Sequence, residues 1–216
     1  MNTLLQWAHR AQDLLLSARK ADFIAPLAFR LYLAPIFLTV GLHKAANFDD
    51  IVSWFEFGLE LPFPWLLALL ATVSEIAGGI ALLLGVATRW FALPLMVTML
   101  VAGATAHWDK GWFAIAPTDP DTSIASVLAP IGFPGAAESL AASVEAGERL
   151  SRAREILQEH GHYDWLTQSG SFVILNNGIE FAATYFLLLL SLFFTGPGRY
   201  LSVDYWIARR WRRDNH

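Results

Sequence analysis

The chain of 216 residues contains no cysteine. It can form no disulfide, hold no Cys-ligated metal or iron–sulfur cluster, and perform no thiol chemistry of its own. Charge is also scarce. Asp, Glu, Lys and Arg make up 16% of the residues, against about 25% in ordinary soluble domains. The net charge of −4 argues against a nucleic-acid partner. Apolar surface is what the chain has in surplus. Hydrophobic residues reach 55%, with 9 Trp and 15 Phe, and the mean hydropathy is +0.43. A soluble enzyme or a disordered chain would not have this balance.

A bilayer span needs about 20 mostly apolar residues. Residues 25–46, 65–87, 90–106 and 172–195 meet that need. The expected fold is therefore all-α: one integral membrane domain, a four-helix bundle with the lipid bilayer as its main partner. Residues 1–24 repeat Leu4, Trp7, Ala8, Ala11, Leu15 and Ala18 at helical spacing, which predicts an interfacial amphipathic helix rather than a signal peptide. Residues 108–171 form an insertion between spans three and four. Its first half is loop, punctuated by Pro117, Pro120, Pro130 and Pro134. Its second half repeats Leu140, Val144, Gly147, Leu150, Ala153 and Leu157 at helical spacing. Glu145 with Arg149 and Glu148 with Arg152 would reinforce that helix as i,i+4 pairs.

Ten of the 15 Lys and Arg residues fall on the side that holds both termini and the turn between spans two and three. Basic residues stay inside, so both termini are expected in the cytoplasm and the insertion outside an inner membrane. The tail 196–216 closes on Arg209, Arg210, Arg212 and Arg213, which would rest on anionic headgroups.

Ionisable residues within spans are expensive and mark partners or cavities. Glu75 lies in the second span, beside Gly78 and Gly79. Glu180 lies in the fourth, where Asn176, Glu180 and Thr184 would stack on one helix face. His43 and Lys44 end the first span and His107 ends the third. Lys44, Glu75, His107, Asn177, Glu180 and His43 thus form a candidate polar cluster at one end of the bundle. It can be read as a network that fixes helix register or as a small-molecule, quinone or proton site. At the other end Arg30, Arg89 and Asp204 suggest an Arg–Asp clamp. His160 and His162 form an H-x-H pair, a weak metal site because two ligands are too few.

These same residues carry a resemblance. R-L-Y-L from Arg30, G-L-H-K from Gly41, E-I-A-G-G-I-A-L-L-L-G-x2-T-R from Glu75, M-L-V-A from Met99 and F-T-G-P-G-R-Y-L-S-V-D from Phe194 resemble the DoxX family of small four-helix membrane proteins. E-I-L-Q-E-H-G-H-Y-D-W-L-T from Glu155 and F-V-I-L-N-N-G-I-E-F-A-A-T-Y-F from Phe172 look like its HvfX branch. The family includes membrane subunits of thiosulfate:quinone oxidoreductases and members of thiol-redox complexes. The HvfX branch is associated with biosynthesis of copper-binding modified peptides. The resemblance implies an accessory membrane protein of a redox or copper-related peptide-maturation system, with other proteins of that system as partners, a homo-oligomer as an option, and a quinone as a candidate ligand. Since the chain has no Cys, any electron chemistry belongs to a bound cofactor or a partner. A non-catalytic scaffold and a small-molecule exporter are the alternatives, and whether the protein is an enzyme stays open.

Overall fold

The computed structural model describes Trp7, Gln12, Leu16, Ser17 and residues 19–214. Most of the amphipathic helix expected over 1–24 lies outside the described residues. The chain divides into two compact units. One comprises Met1–Thr98 with Phe186–His216, the other Met99–Tyr185.

The first unit is built on helix α1 (Ile24–Ala46) and helix α2 (Pro64–Leu84). They pack antiparallel through glycines that let the backbones close up. A Cβ on Gly41 would lie 2.8 Å from Ile76 Cγ1 and 3.0 Å from the Ile76 nitrogen. One on Gly79 would lie 2.8 Å from Leu38 Cγ. Pro64 opens α2 with its φ already helical and no N–H to leave idle. Gly85 ends it at φ 65°, where a side chain would also strike Ser202 Cβ at 2.6 Å and Arg30 Cζ at 2.7 Å. Helix α3 (Thr88–Ala102) follows and seats Leu95 against Gly78. Leu33, Phe37, Leu82, Leu95, Leu189 and Leu192 are fully buried. Leu31, Tyr32, Leu66, Leu70 and Val73 point outward, an arrangement suited to lipid.

Among the described residues three helical segments are long and apolar enough to cross a membrane: Ile24–Ala46, Pro64–Leu84 and Thr88–Lys110. The last is α3 extended by a wider turn over Gly103–His107 and a tighter one over Trp108–Lys110.

In the second unit, helix α4 (Ala136–His160) buries Ser139, Ala142, Ser143, Ala146 and Leu150. This face is rotated from the expected stripe, and Val144 is exposed. Small residues win because the loop before α4 lies against them. A Cβ on Gly111 would meet the Ser139 nitrogen at 2.6 Å, and one on Gly147 the Thr118 carbonyl oxygen at 2.5 Å. The Glu145–Arg149 pair forms. Arg152 instead turns to Glu155, at 2.8 Å.

The fourth apolar segment differs from expectation. Helix α5 (Glu180–Thr195) has 16 residues, about 24 Å at 1.5 Å per residue, and the stretch 172–179 is not helical. Asn177 sits at φ 63°. The backbone N–H groups of Asn176 and Asn177 both donate to the Ala114 carbonyl, at 2.9 and 3.0 Å. Those of Gly178, Ile179 and Glu180 donate to Phe113, Gly111 and Trp112. The predicted stacking of Asn176, Glu180 and Thr184 on one helix face is therefore absent. Helix α6 (Val203–Asp214) closes the described chain.

Replacing Gly79 by Val inserts methyls where Leu38 already stands. Overpacking of this kind costs about 1–3 kcal/mol. Thermal unfolding of the purified protein in detergent should show a lowered Tm for G79V and an unchanged one for substitutions at outward-facing Val73.

Candidate functional site

Two polar assemblies lie in the first unit, one at each end of the α1–α2 pair. The first centres on Arg30, whose side chain is carried by α1 into the bundle and is 1% exposed. Nε donates to the Leu82 carbonyl at 2.7 Å, and Nη2 to Leu83 at 3.2 Å. Nη1 donates to Pro197 at 2.7 Å and Leu201 at 3.0 Å. The guanidinium thus satisfies carbonyls at the end of α2, which lack intrahelical partners, and ties them to the turn after α5. Asp204 works on the other polarity. Its Oδ1 accepts from the Ala87 N–H at 2.7 Å and Oδ2 from the Thr88 N–H at 3.1 Å, capping the start of α3. Its own N–H donates to Gly85. Arg89 reaches the Phe194 carbonyl at the end of α5, at 3.1 Å. The residues expected to form an Arg–Asp clamp gather here, with Arg30, Arg89 and Asp204 each hydrogen-bonded to backbone, since helix ends in a bilayer leave carbonyls and N–H groups in need of partners.

Asp22 and Arg199 also meet here, at 2.6 Å. The hydrogen bonds and charge of Asp22 raise the Arg199 guanidinium above its ordinary pKa. This pair was missed in the sequence. Its only signal is position, one residue just before the first span and the other just after the G-P-G break.

The second assembly is Lys44 with Glu75. Nζ donates to Oε1 at 2.6 Å. The side chains are 15% and 2% exposed, respectively. Glu75 is held by α2 facing the α1 glycine seam. Its second oxygen, Oε2, is buried and has no protein partner. An ionised carboxylate accepts several hydrogen bonds, and leaving a buried acceptor unpaired costs about 1–3 kcal/mol. The pair therefore presents one open acceptor and the remaining ammonium donors of Lys44. His43 does not join it. That residue is exposed, and its ring stands 3.3 Å from Asn47 Nδ2.

The remaining members of the expected cluster, His107, Asn177 and Glu180, belong to the second unit and make hydrogen bonds that involve its backbone. His107 Nδ1 lies 2.7 Å from the Asn177 carbonyl. Glu180 Oε2 accepts the Ala114 N–H at 2.9 Å. Asn176 Nδ2 donates to the Lys110 and Phe113 carbonyls. Together they anchor the non-helical approach to α5. His160 approaches only Glu159, at 3.7 Å, with both exposed. Among the described residues no group of three His, Cys, Asp or Glu side chains converges as a metal site.

A helical membrane protein with a buried lysine–glutamate pair is the class these features define. Residues 25–108 match the family model DoxX. The chain is also similar to inner membrane protein YphA of Escherichia coli (strain K12), 31% identical over 93 residues. That match spans 42% of this chain and 66% of the relative. Both Arg30 and the Lys44–Glu75 pair lie within the DoxX-matching stretch. No solved structure matches the chain.

Arg30→Gln strips donors from buried carbonyls of α2 and the 197–201 turn. At about 1–3 kcal/mol per abandoned group, it should lower Tm sharply or abolish folding. Asp204→Ala removes one cap and should cost about 0.5–2 kcal/mol. Unfolding followed by circular dichroism in detergent ranks the two; equal effects would contradict the assignment of Arg30 as the larger anchor.

Proposed function

We propose that this chain is a DoxX-type inner-membrane protein whose Lys44–Glu75 pair is an intramembrane site for a quinol-type ligand, serving a redox or peptide-maturation system. The observation that carries the reading is the unpartnered, buried Oε2 of Glu75 beside a lysine with N–H groups to spare. A network meant only to lock helices would close on itself, as the contacts of Arg30 do. An open acceptor next to open donors is complementary to a group that can both give and take a hydrogen bond. A quinol hydroxyl donates to Oε2, and a quinone carbonyl accepts from Lys44, so both redox forms find a partner. The ligand must also be apolar enough to live among membrane helices. The chain has no Cys and supplies no electron carrier from its own side chains, so electrons would pass to a partner protein, with Glu75 and Lys44 holding the ligand and its proton.

The match of residues 25–108 to DoxX and the likeness to an inner membrane protein of Escherichia coli support the location. The excess of Lys and Arg on the side of both termini supports cytoplasmic ends, with 108–171 outside. The HvfX-like motifs point to copper-binding peptide maturation as the setting. The acidic insertion and the basic tail then give such a system two surfaces on which partner proteins can assemble.

Binding of a short-tailed ubiquinol to the full chain in detergent tests the site. Saturable binding by wild-type protein is expected, weakened at least tenfold in Glu75→Gln and in Lys44→Met. Wild-type affinity in a Glu75→Gln protein of unchanged Tm would overturn the reading.

A further inference from the structure

A second site lies at the Arg30 end, where a cleft of about 750 Å³ opens beside the turn after α5. That volume falls within the range of small-molecule sites, about 300–1,000 Å³. Its walls come from the start of α1, the start of α3, the 195–199 turn and one face of α6.

The charges facing the cleft are Asp22, Asp204, Arg89, Arg199 and Arg212. Both acids are already engaged. Asp22 is bound to Arg199, and Asp204 to the Ala87 and Thr88 amides. Arg89 and Arg212 form no ion pair with any described residue; Arg89 gives one N–H to the Phe194 carbonyl. Asp22 offsets Arg199 and the Asp204 carboxylate offsets one further charge, so Arg89 and Arg212 leave the cleft net positive. Pro26, Phe29 and Trp90 supply an apolar wall beside them.

Helix α6 fixes where the cleft sits. Asp204, Ala208 and Arg212 line it, at spacing i, i+4, i+8. Val203, Ile207 and Trp211, at the same spacing on another face, are exposed. Such a helix, apolar on one side and basic on the other, lies in the plane of the headgroups. The cleft under it opens at headgroup depth, where an anion arrives attached to acyl chains.

We propose that this cleft binds an anionic glycerophospholipid, its phosphate between Arg89 and Arg212 and the upper part of a chain along Phe29 and Trp90. The shared chemistry is a phosphate anion, and the source is the bilayer rather than solution. The apolar wall has no use for free phosphate, and the exposed face of α6 is matched to lipid. The proposal stands apart from the Lys44–Glu75 reading, which concerns the opposite end of α1 and α2.

The test uses the full chain in a neutral detergent. Short-chain phosphatidylglycerol, short-chain phosphatidylcholine and inorganic phosphate are titrated separately while Tm is followed. Phosphatidylglycerol should raise Tm saturably; the other two should not. Arg212 touches no described side chain in an ion pair, so Arg212→Gln should fold normally. It should bind phosphatidylglycerol about fivefold more weakly, the factor one cation is worth at an anionic membrane surface. Arg210→Gln, outside the cleft on the same helix, should lose clearly less affinity than Arg212→Gln. Equal responses to phosphatidylcholine or to inorganic phosphate would overturn the proposal, as would equal losses in R212Q and R210Q.

Discussion

A polar group inside a bilayer has no water to fall back on, and the first unit is arranged around that constraint. Arg30 answers it by giving its donors to carbonyls of α2 and of the turn beyond α5. The stretch between Gly85 and Thr88 answers it with Asp204. One buried cation and one half-buried carboxylate thereby hold residues more than a hundred positions apart. Gly85 is what lets them do so, because any side chain there would occupy the space of the guanidinium.

Against this pattern the Lys44–Glu75 pair stands out for being unfinished. A buried ion pair is not by itself a source of stability, since desolvation offsets much of the attraction. One left with an unpaired buried oxygen is worse placed than a closed one. It stands on the glycine seam, with Glu75 Cβ 3.0 Å from where a Cβ on Gly41 would lie, and the proposed quinol site would give its open oxygen a partner. Glu180, the other carboxylate expected within a span, makes the contrast clear. Its Oε2 accepts the Ala114 backbone N–H.

Much of this was legible in the sequence. The three longer helices followed from hydropathy within a few residues of their ends. Lys44 and Glu75, expected in one cluster with four other residues, meet because antiparallel neighbours put the end of one span beside the middle of the next. Arg30, Arg89 and Asp204 lie at one end, but their partners are backbone carbonyls and, for Asp204, the Ala87 and Thr88 N–H groups, which leave no mark in a sequence. The start of α5 was misjudged for the same reason. Residues 172–179 look helical by composition, yet they hydrogen-bond to a loop some 65 positions earlier, and local periodicity cannot register such a partner. The buried face of α4 was misread because alanine and serine, not the larger apolar residues, face the loop that covers them.

Glu75 Oε2, buried without a partner, is the acceptor that the proposed site offers a quinol hydroxyl. Infrared difference spectroscopy of the reconstituted protein, with and without added ubiquinol, addresses it directly. A carboxyl band should shift on addition of ubiquinol, and that shift should disappear in Glu75→Gln. A spectrum in which no Glu75 band responds to ubiquinol would contradict the proposed site.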